Sequence, residues 1–283
     1  MIAEFSSFFF ATFGLVLSCI LYELRVRARN LSLAADVALV YNLFCTLFLI
    51  ISLFTRYDLW LRWCISVRRY SEMDTFVTTG LWKNLLFECL VNIVAPYHFF
   101  DGIKYTEYSK DYEMDIVYEV NDLLLFFMFF RLYLVCRFLF YLSHFMNPRT
   151  QRVCAIHGCD ADAIFALKGI LQQNPFPVLL SALGVSIVVL GYMLRLFESP
   201  LSEASGQDFT SMNNCMWNMV ITLTSAGYGE LYPKTFFGRI IGVTICLWGV
   251  LIISLMVVAV TQTLEFDFKE ERSYNLLIRL EYK

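Results

Sequence analysis

Thr224 to Glu230 read T-S-A-G-Y-G-E, with two glycines one residue apart and two hydroxyl side chains ahead of them. Glycine weakens helices and strands alike, yet it enters left-handed backbone without steric cost. A strand whose residues alternate in backbone handedness turns successive carbonyl oxygens toward one side. Gly227 and Gly229 have the spacing such a strand needs. Ser225 adds a hydroxyl at the inner end, Ala226 precedes the first glycine, and Tyr228 stands between the two. The chemistry this allows is the holding of a dehydrated cation, which needs oxygen ligands on all sides. One chain supplies one such row, so a full ring takes several copies.

The segments around this strand have to position it. The chain has 283 residues, is 58% hydrophobic and 17% aromatic, and has a mean hydropathy of +0.60. A soluble domain of this size is less apolar and more charged, so the lipid bilayer is the expected solvent. A formal net charge of -3 gives no reason to expect a nucleic-acid partner. The nine cysteines fall mostly inside apolar runs without regular spacing, which speaks against a disulfide framework.

A crossing helix needs about 20 mainly apolar residues. Six candidates follow: about Phe5–Leu24, Leu33–Phe54, Leu81–Phe100, Leu123–Phe145, Phe176–Phe197 and Phe236–Leu264. The third is the weakest, because Lys83, Asn84, Glu88 and Asn92 interrupt it and Pro96 bends its end. Pro175 and Pro177 suit the start of the fifth. The N-terminus lacks a basic region and a small-residue cleavage site, so the first segment is expected to be retained. Thr210–Thr222 is too short to cross and too apolar at its end to sit in water. With the glycine strand behind it, it suits a re-entrant loop lining a cavity. The expected fold is an all-α membrane protein of six transmembrane helices, with a re-entrant pore helix and filter between the fifth and sixth.

Charge orients the segments. Thr55–Gly80 carries Arg56, Arg62, Arg68 and Arg69, whereas Asp101–Asp122 carries Glu107, Asp111, Glu113, Asp115 and Glu119. The positive-inside rule makes the first connection cytoplasmic and the second external, with both termini inside. Arg25, Arg27 and Arg29, after the first span, then fall outside, against that rule. The acidic run Tyr105–Asp122 is expected to be a solvated outer loop that could raise the local cation concentration.

The glycine strand resembles the potassium-channel filter, usually T-V-G-Y-G-D, with Ser225, Ala226 and Glu230 as departures from it. In such channels a ring of four strands replaces the hydration shell of potassium. Trp217 stands where they carry a bracing pore-helix tryptophan, and its indole N–H is expected to reach Glu230. The fourth span, FMFFRLYLVCRFLFYLSH, resembles the small-conductance calcium-activated potassium channels, as do LTSAGYGELYP, SLMVVAVTQTLEF and FGLVLSCILYELR. That resemblance implies a potassium channel subunit of the plasma membrane that assembles with three further pore subunits, as a homo- or heterotetramer. Its domains would be a voltage-sensor-like four-helix domain over 1–150, a linker over 151–175, a pore domain over 176–264 and a cytoplasmic stub over 265–283. It also implies gating by Ca2+ acting through calmodulin. The long helical platform for calmodulin is not present in this sequence, and neither is a D-x-D-x-D-G calcium loop. Gln262 and Thr263 stand where the family has a basic pair.

Arg131 and Arg137 keep only half of a third-residue arginine series, so two charges give a shallow voltage response. The alternative reading is that both are structural, paired with an acid such as Glu88. The run Leu255–Val260 suits a dewetting gate, with Val257 and Val260 on one helical face. Gly249 suits either a flexing point or close packing. Two alternative functions stay open: a regulatory or silent subunit that co-assembles with longer relatives, and a voltage-gated potassium channel. Cys154, His157 and Cys159, with His144 upstream, have zinc-ligand types, but the spacing is tight and a fourth ligand is unassigned. No metal centre and no permanently bound cofactor are expected, K+ being the permeant ion. Cys215 reads as a lone thiol. No nucleophile triad or phosphate-binding loop occurs, so an enzyme is not expected.

Overall fold

A computed structural model describes residues 2–27, 32–66, 70–109, 112–159, 161–266 and 268–281. Arg29, Arg68, Arg69, Asp111 and Lys283 lie outside the described residues, and so does the side chain of Arg27. Among the described residues, five helical segments are long and apolar enough to cross a membrane: Ile2–Val26, Ala35–Ser66, Val120–Leu142, Pro175–Ser205 and Phe236–Leu264. The architecture is that of an all-α membrane protein. The chain divides into two compact units, Met1–Ala166 and Leu167–Lys283.

The first unit begins with two long helices, α1 (Ile2–Arg27) and α2 (Ser32–Ser66). Helix α2 runs well past the expected end at Phe54, so Arg56 and Arg62 sit on a helix rather than in a connection. Helix α3 (Leu81–Ile93) has only 13 residues, about 20 Å at 1.5 Å per residue, short of the roughly 30 Å hydrocarbon core. The expected third span to Phe100 is cut short because the residue before Pro96 is steered out of helical backbone. Val94 is already extended.

The acidic connection is not an irregular loop. It forms an antiparallel hairpin of β1 (Lys104–Ser109) and β2 (Met114–Glu119), in register from Lys104 opposite Glu119 to Ser109 opposite Met114. Alternation explains it: Ile116 and Tyr118 are buried on one face, while Asp115, Val117 and Glu119 fall on the other. The fourth span is three pieces, α4 (Val120–Met128), a tight 3-10 turn over Phe129–Arg131, and α5 (Leu132–Leu142). Ala11, Leu49, Leu53, Leu85 and Leu134 form a core shared by α1, α2, α3 and α5. Ser7 and Ser52 hydroxyls meet at 2.8 Å between α1 and α2, the kind of small polar contact that joins helices in lipid. Helix α6 (Pro148–Ile156) follows α5 in this unit.

Helix α7 (Ala163–Gln173) spans the division, so the region 151–175 is largely helical rather than an open linker. The second unit then holds α8 (Pro175–Glu198), the short α9 (Ser202–Ser205), α10 (Met212–Leu223), α11 (Phe236–Leu264) and α12 (Phe268–Glu281). Proline at the start of α8 costs no hydrogen bond, because the first N–H groups of a helix are unpaired anyway.

Candidate functional site

Helix α10 ends at Leu223, and the glycine strand folds back beneath its C-terminus. The Ser225 N–H donates to the Thr222 carbonyl at 3.1 Å. The N–H groups of Ala226 and Gly227 share the Ile221 carbonyl at 2.9 and 3.1 Å. These bonds satisfy carbonyls that a helix end leaves open. Ser225, Gly227 and Gly229 have positive φ of 59°, 57° and 76°. Ala226 and Tyr228, between them, do not. Left-handed backbone therefore recurs at every second residue, the alternation that one-sided carbonyl alignment requires. Two of the three positions are glycine, which pays no Cβ penalty there. Ser225 is the exception, a non-glycine residue held left-handed.

Two contacts brace the strand from α10. Trp217 Nε1 lies 3.3 Å from Glu230 Oε2. The Trp217 and Tyr228 rings stack with centroids 6.2 Å apart and planes 22° from parallel. Every residue from Thr224 to Glu230 is exposed in the single chain.

Glycines wedge α10 in place. A Cβ on Gly249 would sit 2.9 Å from both the Cα and the carbonyl oxygen of Leu223. Gly249 is thus a close-packing residue directly behind the start of the strand, within an α11 that is helical throughout. Gly191 of α8 also packs closely on α10, where a Cβ would meet Met219 Cγ at 3.3 Å. Val257 and Val260 lie near the end of α11 and are exposed, as is Leu255.

Sequence reasoning missed a buried carboxylate. Glu198, at the end of α8, is 1% exposed. Its Oε1 accepts from the Lys234 N–H at 2.9 Å, the Thr235 N–H at 2.9 Å and the Thr235 hydroxyl at 2.8 Å. Thr235 in turn caps α11 by accepting from the Gly238 N–H at 2.9 Å. The signal was a lone acid ending an apolar span, with a threonine just before the next. Cys215 is buried, and its thiol reaches the Phe209 carbonyl at 3.4 Å. Among the described residues no cysteine is joined in a disulfide.

In the first unit the two fourth-span arginines have different partners. Arg131 is buried, and its Nη2 donates to the carbonyls of Asn92 and Val94 at 2.7 and 3.2 Å. It thus caps the end of α3 instead of pairing with Glu88. Arg137 does reach Glu88 at 3.2 Å, and Glu4 at 3.4 Å. Arg56 joins the same two acids, bonding Glu88 directly and approaching Glu4 at 3.9 Å. Arg56 was expected to mark a cytoplasmic connection. Instead it is buried in an ion-pair cluster, because α2 continues through it. Tyr57 completes the cluster with a hydroxyl 3.1 Å from Glu88 Oε1. Cys159 Sγ lies 3.4 Å from the Cys154 carbonyl oxygen.

Residues 178–266 match a family model described as an ion channel. That match covers α8 to α11 with the strand between them, and with the apolar helices it makes the chain an integral membrane protein. The chain is similar to the small conductance calcium-activated potassium channel protein of Drosophila melanogaster, 28% identical over 152 residues, which are 53% of this chain and 16% of that protein. It is also similar to the voltage-gated potassium channel regulatory subunit KCNG1 of Mus musculus, 29% identical over 110 residues, covering 38% of this chain and 21% of the relative. The potassium voltage-gated channel protein Shal of Drosophila melanogaster is 32% identical over 93 residues, 33% of this chain and 15% of its own length. The chain thus spans well under a quarter of these curated relatives.

Proposed function

We propose that this chain is a subunit of a potassium-selective channel, in which four copies, or copies with relatives, surround one pore. The carrying observation is the alternation of left-handed backbone at Ser225, Gly227 and Gly229. Rings of carbonyls on such strands replace the hydration shell of potassium. Exposure of all seven residues from Thr224 to Glu230 in one chain fits a strand that other subunits cover. On this reading Ser225 to Gly229 form the filter, Trp217 and Glu230 support it, and Val257 and Val260 form a dewetting gate. The domains run over 1–150 for the voltage-sensor-like part, 151–175 for the connection, 176–264 for the pore and 265–283 for a cytoplasmic stub. The protein sits in the plasma membrane with both termini cytoplasmic. Expressed alone, it carries a current whose reversal follows the potassium gradient. A current indifferent to potassium contradicts the proposal.

Voltage dependence is shallow on this reading. Arg131 is engaged with carbonyls at the end of α3 and Arg137 with Glu88 of α3 and Glu4 of α1, and two charges yield little work at about 2.3 kcal/mol per charge per 100 mV. Calcium acting through calmodulin is the stimulus suggested by likeness to the Drosophila calcium-activated channel alone. Stepping calcium at the cytoplasmic face of an excised patch tests it, and a current unchanged by calcium removes it.

A second reading is a regulatory subunit that co-assembles with longer potassium channel subunits. Similarity to the regulatory subunit KCNG1 favours it. Silence alone, with altered current on co-expression, selects this reading. A robust current from the lone chain rejects it.

A further inference from the structure

We propose that Asp36, His98 and Asp101 form a binding site for a divalent cation of the zinc class, within the Met1–Ala166 unit and independent of the pore. The three side chains come from two separate parts of the chain. Asp36 lies near the start of α2, His98 opens a 3-10 turn over His98–Phe100, and Asp101 follows that turn. In a 3-10 turn, side chains three residues apart eclipse. The Asp101 N–H donates to the His98 carbonyl at 3.1 Å, which closes the turn and brings these two side chains together.

The turn is fastened to α2. Asn42 Nδ2 donates to the Pro96 carbonyl at 3.0 Å, two residues before His98. That anchor leaves His98 Nδ1 3.2 Å from Asp36 Oδ1. One ligand-type atom from each of Asp36, His98 and Asp101 lies within 4.8 Å of the other two, the only such trio among the described residues. Ligands about 2.0–2.2 Å from an ion stand somewhat closer together than this. Rotation of half-exposed side chains closes the difference.

The donor set selects the ion. Calcium and magnesium favour oxygen alone, whereas an imidazole with carboxylates suits zinc and its first-row neighbours. Arg25 supplies an outer partner. Its Nη2 donates to Asp101 Oδ1 at 2.7 Å, and its Nη1 bonds Glu119. It orients the Asp101 carboxylate as outer-shell groups orient metal ligands, and it offsets part of the site's negative charge. A bound ion ties the start of α2 to the segment that joins α3 to the hairpin. It therefore favours whichever arrangements of the unit keep those two parts together.

The test is zinc titration of the purified full chain in detergent, in a Cys154→Ser background that removes one thiol of the C-x-x-H-x-C run at Cys154, His157 and Cys159. Compared are the unsubstituted site, His98→Ala and Asp36→Asn. The His98 side chain is 60% exposed, so its removal leaves folding intact. The intact site takes up one zinc more per chain than either variant, and its unfolding temperature rises with ZnCl2 but not with CaCl2. Each variant weakens that uptake by at least about tenfold, since loss of a mere outer partner costs 10–100-fold. Equal zinc uptake by the intact site and His98→Ala overturns the site. An equal temperature rise with calcium overturns the assignment of ion class.

Discussion

The two units hold their polar groups in opposite ways. In the Leu167–Lys283 unit the polar strand is set by backbone geometry, and the residues around it pack through glycine and one buried glutamate. In the Met1–Ala166 unit the polar groups are long side chains that reach across helices: Arg56 and Arg137 to Glu4 and Glu88, Arg131 to the end of α3, Arg25 to Asp101 and Glu119. A backbone site is written in consecutive residues. A side-chain network is written in residues tens of positions apart, and only the fold brings them together. The first kind tolerates almost no side chain at its two left-handed glycines. The second shares its load among several partners.

Substitution should expose that contrast most strongly at Gly229. Its φ of 76° is left-handed, and a Cβ there costs about 1–2 kcal/mol per residue. The cost repeats in every subunit of one ring. Gly229→Ala should abolish potassium-selective current while the chain still reaches the membrane, measured as current against surface labelling. Selective current of normal size would mean that the alternation does not matter.

The largest loss in the other unit should come from Glu88→Ala. Removing one partner of a buried ion pair costs about 3–5 kcal/mol, and here two arginines and a tyrosine lose their acceptor. Thermal unfolding in detergent should show it. A loss below about 1 kcal/mol would mean that Glu4 and water replace Glu88 without cost. Gly249→Ala should cost less, about 1–3 kcal/mol for overpacking. The collision is with Leu223 backbone, next to the strand, so the same change should also lower potassium-over-sodium selectivity. Unchanged selectivity with lowered stability would separate packing from filter geometry. Trp217→Phe should be mildest. It keeps the ring stack with Tyr228 and loses one hydrogen bond to Glu230, about 1 kcal/mol or slightly more. The expected sign is faster decline of current during sustained opening.

The same contrast explains what could be read from the chain before its structure. The strand, α10 ahead of it and α11 behind it follow from local spacing and apolar run length. So does the Trp217–Glu230 contact, because both residues belong to one motif. What was illegible lay at long range or depended on direction. Arg56 looked like a loop cation, since nothing local tells that α2 continues twelve residues beyond Phe54. Arg131 looked like a partner for Glu88, but the early end of α3 at Ile93 offers it carbonyls instead. The hairpin at Lys104–Glu119 was hidden because its charged face dominates composition, and only the alternation of Ile116 and Tyr118 betrays a strand. Glu198 escaped because its donors, at Lys234 and Thr235, lie more than thirty residues away. Gly249 was ambiguous by type, and its distance to Leu223 assigns it to packing.

The central claim is that the strand from Ser225 to Gly229 selects potassium. The most direct measurement places the purified chain alone in a planar bilayer under a potassium gradient, with sodium balancing the other side. The account predicts a reversal potential that moves by about 59 mV for each tenfold change in potassium, the monovalent equivalent of a tenfold equilibrium shift. A reversal potential that stays at zero, or that follows sodium or chloride, would contradict it.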